Sequence, residues 1–309
     1  MKYQRWLCAA VLPLALTLGT TAQADTRVAI GTGGTGGVFY IVGAGMANLI
    51  SKKVPGVTAN AEVTGASIEN VRRVSAGEMV LGFSSASTLY AASKGEAPFK
   101  TPMNVSAVAY LYPAVLQVAA MPNVKAQTVA DLGNARVSIG PPGSNSAVLG
   151  MRLLKAAGSF NARNIQHLSY TEATNAMKNG NLDASMVLAG VPTGAFIELT
   201  NSTSANLVAV TEAQAQALIK DYPYYQAVSI RGAAYKNHPQ ATMAIGDPAV
   251  LFTSKNANPD LVFKLTQALF DNLGDVAAIH PAAKAISKAT ATRTPIALHP
   301  GAARYFNAK

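Results

Sequence analysis

Apolar and polar positions along this chain switch repeatedly between two periods. Val28-Ala29-Ile30 is a short apolar run that enters Gly31-Thr32-Gly33-Gly34-Thr35-Gly36-Gly37. Beyond it Phe39, Val42, Met46, Leu49 and Ile50 recur on one helical face, so the pattern predicts strand, glycine-rich turn and helix. Residues 57–63 read as a second strand, and Ser67 as the N-cap of a helix carrying Ile68, Val71 and Val74, closed by Gly77. Residues 79–83 read as a third strand. The hydroxyl-rich run Ser84-Ser85-Ala86-Ser87-Thr88 follows, then a short helix ending near Gly95. Such alternation predicts a mainly parallel α/β architecture.

The alternation breaks at residues 105–111 and 114–120, two strand-like runs separated only by Tyr112-Pro113. So short a link predicts that the chain leaves one sheet for another. The pattern restarts at 136–139, which runs into Gly140-Pro141-Pro142-Gly143-Ser144-Asn145-Ser146 and a helix with Leu149, Leu153 and Ala156, ended by Gly158. A strand at 165–169 precedes a helix capped by Thr171 and stopped at Gly180. Another strand, 183–188, leads into Ala189-Gly190-Val191-Pro192-Thr193. Residues 212–221 read as a surface helix, and Tyr222-Pro223-Tyr224-Tyr225 as an aromatic turn. Residues 249–253 read as a strand crossing back, 259–273 as a helix with Val262, Leu265 and Leu269 in register, and the tail as one or two helical pieces. The expectation is a two-lobed α/β fold with a ligand cleft between the lobes. The first lobe takes residues 25–113 and 249–309, the second 114–248.

Five of the strand-to-helix turns pair glycine with Ser, Thr or Asn: 32–37, 65–67, 84–88, 140–146 and 190–193. Such turns let a ligand approach the backbone and aim free N–H groups and the helix dipole at it, which favours an anion. The N-terminus fixes the compartment expected. Lys2 and Arg5 precede an apolar run from Trp6 to Leu18, and Ala22-Gln23-Ala24 is a small-x-small site, the pattern of a secretory signal peptide cleaved after Ala24. The run is short for a membrane span. Cleavage removes Cys8 and Trp6, the one cysteine and the one tryptophan, so the exported chain has no disulfide to rely on.

Of 25 basic residues, loss of Lys2 and Arg5 leaves 23 against 15 acidic, a net of +8. They are dispersed rather than arranged as a basic stripe with aromatics, so no nucleic-acid partner is expected. His167, His238, His280 and His299 lie far apart and show no zinc spacing, and there is no G-x-S-x-G elbow. No metal, cofactor or enzymatic activity is expected. Gly31, Gly33 and Gly36 do spell G-x-G-x-x-G, and Glu62 ends the second strand where it would meet a ribose hydroxyl. An exported dinucleotide-binding protein or enzyme is therefore the alternative.

The ordered run of motifs resembles the TAXI family of solute-binding proteins from tripartite ATP-independent periplasmic (TRAP) transporters. The matching stretches are IGTGGTGGVFY (30–40), TGASIENVR (64–72), LYPAVLQV (111–118), VSIGPPGS (137–144), VLAGVPT (187–193), ALFDNL (268–273), HPAAK (280–284) and LHPGAARY (298–305). The resemblance implies a type II periplasmic binding protein, expected as a monomer, that hands a small organic anion, a dicarboxylate or glutamate-like compound, to membrane permease subunits. It implies ligand contacts from Thr35, Gly36, Gly37, Tyr40, Ser67 and Asn70, from Ser84 and Ser85, and from Gly143, Ser144, Gly190, Pro192 and Thr193. Relatives often carry Gln-Ser-Asp after the third strand, where this chain has Ser84, Ser85 and Ala86. Loss of that carboxylate removes a partner for a ligand ammonium and favours a keto- or hydroxy-dicarboxylate over an amino acid.

Overall fold

The computed structural model describes residues 25–236 and 238–308. The signal segment read at residues 1–24 lies outside them, and no helix among the described residues is long and apolar enough to cross a membrane. The chain begins β1 (Thr26–Gly31), α1 (Val38–Lys53), β2 (Val57–Glu62), α2 (Ser67–Ser75), β3 (Leu81–Ser85), α3 (Ala86–Lys94) and β4 (Val105–Tyr112). It continues through β5 (Val115–Ala120), β6 (Val137–Ser138), α4 (Asn145–Ala156), β7 (Ile165–Gln166), α5 (Tyr170–Lys178), β8 (Ala184–Ala189), α6 (Gly194–Ser202) and β9 (Asn206–Leu207). Then come α7 (Glu212–Asp221), β10 (Gln226–Ile230), β11 (Thr242–Gly246), β12 (Ala249–Ser254), α8 (Pro259–Phe270), α9 (Leu273–Ile279) and α10 (Pro300–Asn307).

Two sheets result. The first has the order β2-β1-β3-β12-β4, with β1 parallel to β2 and β3. The second has the order β10-β11-β5-β8-β6-β7, with β9 paired beside β5. Both are mixed rather than mainly parallel, because the strands that carry the chain between sheets run against their neighbours. β12 is antiparallel to β3 and β4, and β5 is antiparallel to β8 and β11. The chain crosses twice, between Tyr112 and Val115 and between Gly246 and Ala249. The C-terminal helices α8 and α9 pack on α1, and α10 packs on α8 and β4. Val28, Ile30, Phe83, Leu111 and Tyr112 are buried within the largest core cluster. Val137, Leu149, Leu153 and Met186 anchor a second one in the other sheet.

Several helix boundaries differ from the sequence reading for identifiable reasons. Ser67 is the first residue of α2 rather than its cap. Its hydroxyl faces Ser85 at 3.3 Å, while Ala66 holds the cap position at φ 77°. Ser169, not Thr171, caps α5, because Glu172 completes a reciprocal capping box with it. The helix expected over 259–273 stops at Phe270. Asn272 leaves helical geometry, donates its amide back to Ala268 O at 2.8 Å, and starts α9. The hairpin of β10 and β11 carries too exposed a face on β10 to show an apolar alternation.

Candidate functional site

The carboxyl ends of β1, β3, β6 and β7 lead into α1, α3, α4 and α5, and these helix starts converge on one cavity between the two sheets. From the first sheet's side it is lined by Gly33, Gly34, Gly37, Val38, Phe39, Val63, Thr64, Ala66, Ser67 and Ser85. From the second it is lined by Pro141, Ser144, Asn145, Ser146, Ser169, Tyr170 and Leu188. Its volume is about 120 Å³. At roughly 10–15 Å³ per water position, that is space for about ten small groups.

The N-termini of five helices, α1 to α5, reach this lining. They fall into two facing groups. A Cβ added at Gly37, the cap of α1, would lie 3.4 Å from the Tyr170 ring at the start of α5. At the other group Ser67 of α2 and Ser85 of α3 meet each other, and Gly143 O before α4 accepts from Ile68 N at 2.9 Å and Glu69 N at 3.3 Å.

The first turn of a helix leaves backbone N–H groups without intrahelical partners. At α2 those of Ile68 and Glu69 are taken by Gly143 O. At α3, Ala86 N donates to Pro248 O at 2.8 Å and Ser87 N to Asp247 Oδ1 at 3.1 Å. Among the described residues, the N–H groups of Val38 and Phe39 on α1, Asn145 and Ser146 on α4, and Tyr170 on α5 have no protein acceptor. These are the open donors.

None of the lining side chains is Asp, Glu, Lys, Arg or His. The positive character of the site is that of helix ends alone. Tyr170 is held as a wall. Its hydroxyl donates to Leu188 O at 3.1 Å and accepts from Leu188 N at 3.2 Å, and burial pushes its pKa up to about 12, so it stays neutral. Among the described residues no group of three or more His, Cys, Asp or Glu is arranged to hold a metal.

The lobes touch at the cavity rims. Thr193 Oγ1 donates to Gly36 O at 3.2 Å and Ala195 N donates to the same oxygen at 3.3 Å. Glycine at position 65 permits the other contact, since a Cβ there would lie 2.5 Å from Pro142 O.

Of the residues singled out from the sequence, Gly37, Ser67, Ser85 and Ser144 line the cavity. The others sit beside it. Thr35 is exposed, Tyr40 is half-buried on the first turn of α1, and Gly36 is engaged by Thr193 and Ala195. Asn70 is fully buried and turned toward its own loop. Its amide donates to Thr32 O and Phe83 O, both at 2.8 Å, and its Oδ1 accepts from Thr64 Oγ1 at 2.7 Å. Ser84 is buried and donates to Ser85 O at 3.2 Å. Gly143 ties α2 to the second lobe. Gly190 packs under Ala282, and Pro192 belongs to a separate groove with Pro113 and Val115. Thr193 acts at the rim. Glu62, the residue for a dinucleotide ribose, is 3.0 Å from Arg73 and outside the lining.

Sequence reasoning missed Ser169 and Tyr170, which the Ser-x-x-Glu spacing of 169–172 would have located. It also missed the apolar wall of Phe39, Val63 and Leu188.

The profile of the NMT1-like family matches residues 30–309. Among solved structures, the fold is similar to MatC from Rhodopseudomonas palustris with bound malate, at 15% identity over 91% of this chain and 96% of that one, TM-score 0.60. It is similar also to a protein from Bordetella bronchiseptica (16% identity, 92% and 88% covered, TM-score 0.54). A third is the substrate-binding protein of an amino acid ABC transporter (12% identity, 82% and 97% covered, TM-score 0.52). At these identities the likeness establishes the fold, that of two-lobed periplasmic binding proteins.

Proposed function

The chain belongs to the NMT1-like family, a family of periplasmic solute-binding proteins, and from that premise we propose that it is a transport receptor for a small dicarboxylate lacking an ammonium group. The observation that carries this reading is the cavity with helix N-termini from both lobes in two facing groups, and no charged side chain in its lining. One carboxylate fits the open donors of α1 and α5. The second fits those of α4 with the hydroxyls of Ser67 and Ser85, while Ser144 Oγ is spent on Pro141 O at 2.7 Å and caps α4. Phe39, Val63 and Leu188 supply apolar contact for the carbon chain. An ammonium would find no carboxylate there, which disfavours glutamate.

The receptor would work by hinge closure, residues 25–113 with 249–309 moving against 114–248. Ligand held by one lobe gains contacts from the other, and this difference favours the closed state. The motif resemblance to the TAXI family supports delivery to the membrane subunits of a TRAP transporter. It also supports export to the periplasm as a monomer after cleavage behind Ala24.

The test is isothermal titration of the chain starting at Asp25 with 2-oxoglutarate, succinate, malate, glutamate and NAD. Saturable binding of the dicarboxylates with glutamate at least tenfold weaker is the expected result. Glutamate outcompeting 2-oxoglutarate would remove the ammonium argument, and binding of NAD alone would replace the receptor reading. A thermal-shift series gives an independent check. Ligand at a hundred times its Kd adds about 2.7 kcal/mol, worth roughly 5–10 °C for a chain of this size.

A further inference from the structure

Behind the cavity, on the hinge side, one buried carboxylate joins three parts of the chain. Asp247 lies in the second crossing, between β11 and β12, and is fully buried. Its Oδ1 accepts from Ser87 N at 3.1 Å, and its Oδ2 accepts from Ser87 Oγ at 2.5 Å. Both bonds lie at the start of α3, in the first lobe. The same Oδ2 accepts from the side-chain amide of Asn145 at 2.6 Å, and that amide also reaches Ser87 Oγ at 3.2 Å. Asn145 is the first residue of α4, in the second lobe.

The bonds to Ser87 and those from Asn145 therefore differ in what they span. The former join the crossing strand to the first lobe, and the latter tie the second lobe to both. Further along α4, Arg152 donates to Tyr225 Oη at 2.8 Å and Tyr224 Oη at 3.0 Å, and its charge is felt at the carboxylate from the second-lobe side.

We propose that Asn145 and Asp247 form a closure latch, an amide–carboxylate pair made as the lobes close, which fixes the α3 and α4 N-termini against each other at the cavity. A hydrogen bond to a charged acceptor is stronger than a neutral one. When the lobes part, Asn145 leaves with α4, Ser87 stays with the carboxylate, and water takes the place of the amide. Deleting the amide leaves the closed form with a buried carboxylate short of a donor, whereas the open form gains water. The loss falls on closure. Asn145 is in this sense a positioning residue, acting through α3 and α4. The latch rests on the hinge closure proposed above, and only the affinity arm of its test rests on the dicarboxylate reading.

The chain from Asp25 onward contains no cysteine. Lys52→Cys and Lys220→Cys, exposed on α1 and α7, can therefore carry spin labels that report the interlobe distance by pulsed electron resonance. Asn145→Ala is expected to lengthen that distance in ligand-free protein. It should also speed 2-oxoglutarate dissociation roughly tenfold with little change in association rate. In an Asp247→Ala background, Asn145→Ala should add nothing, as for residues that act as a unit. An asparagine that merely touched ligand would lose the same factor in both backgrounds.

Asn145→Asp at pH 8 supplies a test that leaves Asp247 intact. It sets a second carboxylate against Asp247 and should open the lobes further than Asn145→Ala. Distance distributions identical to the parent for both Asn145 variants, or losses that simply add, would overturn the latch. Failure of 2-oxoglutarate to bind the parent would sink the dicarboxylate reading, while the ligand-free distances still decide the latch.

Discussion

Gly65→Ala isolates closure from folding. A Cβ at position 65 would lie 2.5 Å from the carbonyl oxygen of Pro142 in the opposite lobe and 2.9 Å from Glu69 Oε2. Ordinary contacts begin near 3.4 Å, so the oxygen would have to retreat by about 0.9 Å. The Glu69 carboxylate can swing aside, at the expense of its 2.7 Å bond from Gly65 N. The Pro142 carbonyl cannot, because the adjoining Gly143 O is held by Ile68 N and Glu69 N. Gly65 has no positive φ, so alanine fits the backbone of its own lobe. The strain falls on the closed state.

Overpacking of this kind costs about 1–3 kcal/mol, which weakens ligand binding roughly 5- to 150-fold. Calorimetric titration with the tightest dicarboxylate, beside the melting temperature of ligand-free protein, separates the two effects. Affinity should fall, and the ligand-free melting temperature should drop only by the roughly 1–6 °C that the lost Glu69 bond is worth. Gly36→Ala is the control. Its Cβ would meet Thr171 Oγ1 at 2.8 Å, the end of a side chain that can rotate away, and its loss should stay below about fivefold. An affinity within twofold of the parent for Gly65→Ala, or equal losses for the two glycines, would refute the argument.

Other outcomes follow from the same geometry. Asn70→Ala strips donors from Thr32 O and Phe83 O and an acceptor from Thr64, so it should destabilise by about 2–4 kcal/mol and lower the melting temperature roughly 5–15 °C; an unchanged melting temperature with weakened binding would return Asn70 to the ligand. Thr193→Val removes the hydroxyl bond to Gly36 O at 3.2 Å and should weaken binding by about 2- to 10-fold through closure alone; unaltered dissociation kinetics would count against it. Burial raises the Asp247 pKa from 3.8 to about 6, against the opposing pull of Ser87, Asn145 and Arg152, with Tyr225 and Tyr224 the other titratable groups facing it. The folded state then holds a proton that the unfolded chain releases between about pH 4 and 6. This contribution to stability is full below pH 4 and is lost as pH rises through 6, about 3 kcal/mol in all. Urea unfolding of the parent and Asp247→Asn at pH 4, 5, 6 and 7 should give a difference that changes across this window, and a constant difference would contradict it.

The alternation of periods was enough to read most elements and the Tyr112-Pro113 link between sheets, because β5 and β12 are largely apolar runs, whereas β11, which precedes the second link, was not read. The strands β6 and β7, read at 136–139 and 165–169, are only two residues each, and the turn after β7 was passed over because it carries no glycine. The polar turns at 32–37, 65–67, 84–88 and 140–146 all bring a helix start to the cavity, whereas that at 190–193 bonds to the rim. Asn70 shows what a turn motif alone leaves open. Ser67 and Asn70 share one face of α2 at i, i+3, yet one lines the cavity while the other is spent on Thr32, Thr64 and Phe83. Sequence spacing places both near the ligand loop and does not say which way each polar group is satisfied.

The division of labour among helix ends bears on how affinity can be changed. The N–H groups of α2 are committed to Gly143 O across the lobes, and those of α3 to the hinge at Asp247 and Pro248. Those of Val38, Phe39, Asn145, Ser146 and Tyr170 remain for an anion. Perturbing the first set changes the free energy of closure and should scale the affinity of every ligand by one factor. Altering the cavity walls, for instance at Val63 or Leu188, should change the ranking of ligands instead. A panel of dicarboxylates of increasing chain length, titrated against Gly65→Ala and Leu188→Ala, tells the two apart. Parallel losses across the panel are expected for the first and a shifted preference for the second. Shifted preferences for Gly65→Ala would mean that the substitution acts on the cavity wall rather than on closure.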